Sequence, residues 1–260
     1  MSLGDALRRP LYRIYEERLA RSLDRSRLPR HIGVIHDGHR RFARAAGLPD
    51  FAASYRAGMD KFVDFLWWCR ELEVPAVTCW LLSKENLARP AEELEPYFEV
   101  LADLFDRLPG EPGAQGVRVG VIGSVDLLPG RLRRAAESLV ERAGEGERRL
   151  TIALAYGGRQ EIVDAVKDLV GELAAQGVAA ADLAGRIDAG ALAAHLYTAD
   201  LPDPDLVIRT SGESRLSGFL LWQAAYAEYS FVDVYWPAFR RVDFLRALRD
   251  FTRRERRFGR

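Results

Sequence analysis

Apolar residues follow two rhythms along this chain. Short β-branched runs occur at 31–36 (HIGVIH), 75–82 (PAVTCWLL), 117–122 (VRVGVI), 149–156 (RLTIALAY), 205–209 (DLVIR) and 231–235 (FVDVY). Between most of them the apolar spacing lengthens to three or four, which predicts helices over roughly 53–72, 92–107, 130–143, 159–175 and 242–257. Such alternation predicts an α/β fold: a single domain over 1–260 whose mostly parallel central sheet of about six strands is flanked by helices. Ahead of it, Tyr12, Tyr15, Leu19 and Leu23 recur at helical spacing. They predict a leading amphipathic helix within 1–29 that packs on the body. The piece ELAAQGVAAADLAGRIDAGALAAHL reads as helix–turn–helix decoration, and no internal repeat or low-complexity tract interrupts the pattern.

Composition narrows the function classes. At 260 residues and 48% hydrophobic, the chain can bury a substantial core. Lys+Arg and Asp+Glu balance at 38 each, so a general nucleic-acid binder, with its basic excess, is disfavoured and no nucleic-acid partner is expected. Any anion site must be local. Cys69 and Cys79 lie in apolar stretches (LWWCREL, VTCWLL), as reduced core thiols of a cytoplasmic protein do. The basic N-terminus has no continuous apolar run, so neither a signal peptide nor stable membrane insertion is expected there.

Open parallel sheets bind ligands beyond the carboxyl ends of their strands, so the residues after each run are informative. The first run is followed by Asp37, Gly38, His39, Arg40 and Arg41; the second by Ser83, Asn86 and Arg89; the fourth by Gly157, Gly158 and Arg159. The fifth gives Arg209, Thr210, Ser211 and Gly212, then Arg215 and Ser217. Four loops thus bring arginines, hydroxyls and glycines to one edge around a single carboxylate, the chemistry of two or more phosphates with a divalent metal. Arginine forks grip diphosphate oxygens in bidentate fashion. In HDGHRRFA, Gly38 lets the backbone approach an anion at a helix start, although a lone DG is only a turn. Ser83, Asn86 and Arg89 share one side of a turn, where Ser83 also reads as an ordinary N-cap. Glu228, in AAYAEYSF, reads equally as a surface residue. No Walker lysine or Gly-x-Gly-x-x-Gly loop is present, which disfavours a nucleotide binder.

The motifs HDGHRRFA, LLSKENLARP, YGGRQEIVDAV, DPDLVIRTSGESRLSGFLLWQAAYAE, WPAF and the terminal RRFG together resemble the cis-prenyltransferases, the undecaprenyl diphosphate synthase family, from about Pro29 to Arg260. The leading PLYRIYEERL is similar to actinobacterial short-chain members. The resemblance implies joining of an allylic diphosphate to a second five-carbon diphosphate: the allylic C–O bond ionises, a double bond attacks the carbocation, and a proton leaves. It implies Mg2+, a hard cation suited to one carboxylate and phosphate oxygens, on Asp37, with Glu228 as a further metal-side carboxylate. It assigns Gly38, Arg40 and Arg41 to the allylic diphosphate; Arg209, Arg215 and Ser217 to the second diphosphate; and Ser83, Asn86 and Arg89 to the reacting centre. Arg257 and Gly259 match a C-terminal Arg-x-Gly element that completes the neighbouring subunit's site, which implies a homodimer.

One departure bears on the reaction. Regular members carry Met-Asp-Gly-Asn and then Arg-Trp, where this chain has His36-Asp37-Gly38-His39 and Arg41-Phe42. Members that make branched, lavandulyl-type products from a dimethylallyl acceptor also lack that Asn. His39 therefore either alters the acceptor or the proton loss, or hydrogen-bonds the same diphosphate. Product length in the family is set by a hydrophobic tunnel. Its candidate lining is Phe62, Leu66, Trp67, Phe98 and Leu81, and the expected product is geranyl- to farnesyl-sized. A non-catalytic accessory subunit is the alternative, against which stand Asp37, Arg41, Arg209, Arg215 and Ser217.

Overall fold

The computed structural model describes residues 14–254. Six strands, β1 (His31–Ile35), β2 (Ala76–Trp80), β3 (Val117–Ile122), β4 (Arg148–Ala153), β5 (Leu206–Arg209) and β6 (Glu228–Phe231), form one sheet in the order β3-β4-β2-β1-β5-β6. Every pairing is parallel. The central strands β1, β2 and β5 are buried along their whole length, as helices on both faces require. All the carboxyl ends therefore lie at one edge.

The helices are α1 (14–21), α2 (His39–Ala45), α3 (Phe51–Glu71), α4 (Ala91–Arg107), α5 (Gly130–Arg142), α6 (Gly158–Ala175), α7 (Ala189–Ala193) and α8 (Arg241–Arg253). Asp50 caps α3, accepting from the Ala53 N–H at 2.8 Å, so the helix begins two residues before the expected boundary. The main core joins α3, α4, α5 and α8 to one sheet face through Phe62, Phe65, Leu101, Phe105, Leu132 and Phe244. A smaller cluster of Ile35, Trp80, Tyr156, Val207 and Phe219 covers part of the other. From the leading segment, Leu19 and Leu23 pack into the main core; Tyr12 lies outside the described residues.

Two elements differ from expectation. The last strand occupies 228–231, not 231–235. Val232 and Val234 instead give their carbonyls to the Gly212 and Ser211 amides, so their alternating pattern lines a loop rather than a ladder. After α6 the Gly/Ala-rich piece forms a 3-10 segment, Ala180–Arg186, and the five-residue α7. Among the described residues, no helix is long and apolar enough to cross a membrane.

Candidate active site

Beyond the carboxyl edge lies a cavity of about 580 Å3. Asp37, Gly38, His39, Arg40 and Arg41 enter it from the β1–α2 connection, and Ser83, Asn86 and Arg89 from the segment after β2. Arg209, Arg215 and Ser217 enter from the loop after β5. Three of the four expected loops thus converge. Arg159 is exposed at the start of α6 and does not line the cavity.

Asp37 is the hub. Arg209 reaches its Oδ2 at 2.8 Å and Arg41 its Oδ1 at 3.3 Å. Burial alone would raise the pKa of this carboxyl, but the Arg209 and Arg41 guanidiniums outweigh burial and hold it below the usual range. Its backbone is fixed by Thr210, whose hydroxyl accepts from the Asp37 N–H and donates to the Asp37 carbonyl. Gly38 has φ +104°, and a Cβ there would lie 2.8 Å from the Tyr235 ring, so no other residue fits this turn without strain.

Around the hub, Arg209 also donates to the Ser217 hydroxyl at 2.8 Å and to the Arg215 carbonyl. Arg41 donates to the Ser211 hydroxyl at 2.6 Å and pairs with Glu213 at 2.9 Å. Ser211 and Ser217 are non-glycine residues at φ +77° and +51°, local strain held by these contacts. The Ser83 hydroxyl accepts from the Asn86 N–H at 3.1 Å, although the N-cap of the turn that follows is Lys84, and Asn86 and Arg89 face the cavity. Six arginines (40, 41, 44, 89, 209 and 215) line the cavity against the carboxylates Asp37 and Glu213. A hollow with this excess of guanidinium selects polyanions.

Part of the wall is aromatic. The Tyr55 and Tyr97 rings pack at 4.6 Å, and the Tyr97 hydroxyl donates to the Leu81 carbonyl. His39 sits against both rings, and among the described residues no hydrogen-bond partner reaches its Nε2 or either ring nitrogen of His36. Burial lowers the pKa of His39 to about 4, against the attraction of Asp37, and pushes His36 well below the imidazole range. Both rings are neutral near pH 7.

Several expected positions move. Leu81 lines the cavity, whereas Phe62 and Leu66 are buried in the α3 core and Phe98 packs partly against it. Trp67 is 43% exposed, with Arg70 over its ring; it faces away from the core because α3 turns its neighbours Phe65, Leu66 and Trp68 inward. Tyr55 and Tyr97, by contrast, line the cavity directly. Glu228 lies at the amino end of β6, level with Leu206, and pairs with Arg254 at 3.1 Å. That is three residues, roughly 10 Å, from the edge where Asp37 stands, so one chain does not bring the two carboxylates together. Arg257 and Gly259 lie outside the described residues. Sequence reasoning passed over Glu213, between Arg209 and Arg215 in a motif read for its cations. It also passed over Tyr55 and Tyr97, whose helical spacing resembles any core face.

The chain is similar throughout to proteins of one family. Residues 35–259 match the family model described as "Putative undecaprenyl diphosphate synthase". A (2Z,6E)-farnesyl diphosphate synthase from Thermobifida fusca is 52% identical over 97% of this chain and 98% of its own. Another from Mycolicibacterium smegmatis is 48% identical over 97% of each. The crystal structure of lavandulyl diphosphate synthase from Lavandula x intermedia, in complex with dimethylallyl diphosphate, superposes with a TM-score of 0.83 at 30% identity, covering 90% of this chain and 100% of that one. With the parallel sheet and the arginine-lined edge cavity, these likenesses show that the chain belongs to the undecaprenyl diphosphate synthase family of prenyl transferases.

Proposed function

We propose that this enzyme condenses a short allylic diphosphate, geranyl or dimethylallyl, with isopentenyl diphosphate to give a Z-configured product of farnesyl size or smaller. The observation that carries the reading is the cavity's lining: six arginines, with the Tyr55–Tyr97 pair, Trp80 and Leu81 beside them. Diphosphate oxygens suit the arginines, and a hydrocarbon tail of few isoprene units suits the aromatic and apolar wall. The two farnesyl diphosphate synthases named above support the same product class.

In this reading Arg41 and the backbone of Gly38 to Arg41 hold the allylic diphosphate, with Arg40 alongside. Arg209, Arg215 and Ser217 hold the second, and Ser83, Asn86 and Arg89 order the reacting ends. Orienting the double bond over the allylic carbon converts an encounter of two molecules into a step within one complex. Arginines placed where negative charge grows on the leaving diphosphate favour cleavage of the C–O bond. The double-bond electrons then form the new C–C bond, and a proton leaves the resulting cation.

The site fits Mg2+. Asp37 offers a single ionised carboxylate, and no group of three or more metal-ligating side chains occurs among the described residues. That donor set suits a hard cation that takes its remaining oxygens from water and diphosphate. When bound, the ion supplies charge neutralisation on the leaving group. A homodimer belongs to the reading as well. Its supports are the edge strand β6 and the apolar Tyr226 and Phe231, 82% and 43% exposed beside it. So does a reducing cytoplasm, which suits Cys69 and Cys79, free thiols whose pKa burial raises.

A second reading, condensation of two dimethylallyl units into a branched product, is favoured by one observation. A neutral, unpartnered imidazole stands at His39 where regular members carry an amide. Incubation with Mg2+ and dimethylallyl or geranyl diphosphate, with and without isopentenyl diphosphate, separates the two when products are solved by NMR. Strict dependence on isopentenyl diphosphate and a linear Z product are expected. Turnover without it overturns the first reading in favour of the second. Loss of activity in Asp37→Ala with the fold intact excludes an accessory subunit.

A further inference from the structure

Glycine inside a helix lowers helix propensity, so an interior glycine calls for a reason. In α6, Gly171 has nothing within 4 Å of where a Cβ would stand. Gly58, in the middle of α3, is the opposite case. A Cβ there would lie 2.2 Å from His39 Nε2, 2.6 Å from His39 Cδ2 and 3.3 Å from Trp236 Cδ1. Its backbone is ordinary right-handed helix, so the requirement is for space and not for conformation.

The notch is built from several sides. The Gly58 carbonyl accepts the Trp236 indole N–H at 2.8 Å. The Ser54 hydroxyl, one turn earlier on α3, donates to the His39 carbonyl at 2.6 Å. The Tyr55 and Tyr97 rings flank the imidazole at 5.8 and 6.2 Å between centroids. Ser54, Tyr55 and Gly58 thus form one socket on α3, and the ring it holds forms part of the cavity wall beside Asp37 and Arg89.

We infer that Gly58 is a specificity-determining positioning residue: its missing side chain seats the His39 imidazole back against α3 and leaves the adjoining space to the allylic diphosphate substrate. Filling the notch forces a displacement of more than an ångström, since 3.4 Å is where ordinary contact with a Cβ begins. Backbone and aromatic neighbours oppose movement behind and beside the ring, which leaves the cavity as its exit. The inference rests on the prenyl-transferase reading for the identity of the ligand, and it holds for either second substrate.

The test is a double-mutant cycle of Gly58→Ala and His39→Ala, read in two ways. Steady-state kinetics with geranyl and isopentenyl diphosphates are expected to show Gly58→Ala raising the allylic KM at least tenfold, with a smaller change in kcat. In the His39→Ala background, adding Gly58→Ala is expected to change KM less than twofold. Calorimetric binding of inorganic diphosphate with Mg2+ provides the second reading and is expected to follow the same pattern. If the wild type transfers no prenyl group, the functional reading fails while the binding cycle still judges the notch. Equal losses on adding Gly58→Ala in both backgrounds overturn the inference, because they trace the effect to helix packing or Trp236. Should Gly58→Ala fail to fold, recovery of a folded, diphosphate-binding protein in the double variant supports it, and failure of the double variant also overturns it.

Discussion

Asp37 and Arg209 are joined across adjacent parallel strands by a 2.8 Å ion pair. The register pairs Ile35 with Arg209, so the carboxylate two residues beyond β1 meets the last side chain of β5. Arg209 is 5% exposed and also grips Ser217, which ties the carboxylate to the loop that carries the second cation, Arg215. The proposed metal–diphosphate hub and the second-diphosphate loop are thus one connected unit.

From that unit follows the effect of Asp37→Asn, which keeps the shape and removes the charge. Prenyl transfer is expected to fall roughly 10²–10³-fold, as losses of transition-state charge stabilisation do. Stability is expected to fall by only about 1–2 kcal/mol, because Arg209 retains the Ser217 hydroxyl and the Arg215 carbonyl. Steady-state assays beside urea melts check both. A loss of activity matched by unfolding would show that Asp37 serves structure alone.

Tyr97 supplies the next case. Its ring lines the cavity, and its hydroxyl is tied to Leu81, the residue two before Ser83. Tyr97→Leu removes the tie and widens the cavity at its aromatic wall while keeping an apolar core residue. Products are expected to lengthen by at least one isoprene unit at a stability cost of about 1–2 kcal/mol. Chromatography of dephosphorylated products measures the chain length. An unchanged distribution would place the length limit elsewhere, with Leu81 the next residue to substitute.

The contrast between Leu81 and Phe62 shows how far the sequence was legible. Strand-and-helix rhythm placed the sheet because burial imposes a period on each element, and the carboxyl-edge rule then brought Asp37, Arg89 and Arg209 to one cavity. What the rhythm does not carry is which apolar residue of a helix meets ligand and which meets core. Phe62 and Tyr55 occupy one face of α3, yet only Tyr55 reaches the cavity, because Phe62 sits two turns deeper beside His36. Trp67 was hidden for the same reason: its rotation about α3 is set by packing partners distant in sequence. Glu228 owed its metal-side role to the resemblance and not to the rhythm, and its pairing with Leu206 sets it at the amino end of β6.

The two buried imidazoles give a pH signature. His39 has its pKa lowered from 6.5 to about 4 by burial, so between those values the unfolded chain binds the proton and the folded one does not. Its contribution is fully present above pH 6.5 and is lost as pH falls towards 4, amounting to about 2 kcal/mol between pH 7.5 and 5. His36, lowered further, acts in the same direction. Urea denaturation of His39→Asn at both pH values is expected to show a correspondingly smaller acid loss than the parent. Equal losses would mean that the ring gains solvent or a partner on protonation.

Glu161 carries the last prediction, away from the diphosphate edge. It is 1% exposed, has no cationic partner among the described residues, and accepts from the Gln223 side-chain amide at 2.8 Å, the Tyr197 N–H at 3.0 Å and the Tyr156 hydroxyl. Burial raises its pKa despite these donors. Tyr156 in turn stands edge-on to Trp80, a wall of the cavity, so the buried carboxylate braces the site through an aromatic contact. Glu161→Ala takes the acceptor from the Tyr156 hydroxyl and the Tyr197 N–H, leaves the Gln223 amide only Thr198, and is expected to cost about 2–4 kcal/mol; Glu161→Gln, which keeps an acceptor, about 1–2 kcal/mol. Because the folded pKa is raised, stabilisation by the protonated acid is complete below the unfolded value of 4.5 and fades as pH rises through the folded one. The advantage of the parent over Glu161→Gln is therefore expected to be largest in acid and to shrink towards neutrality. A gap that widens with rising pH would show instead that the ionised carboxylate is the form the fold prefers.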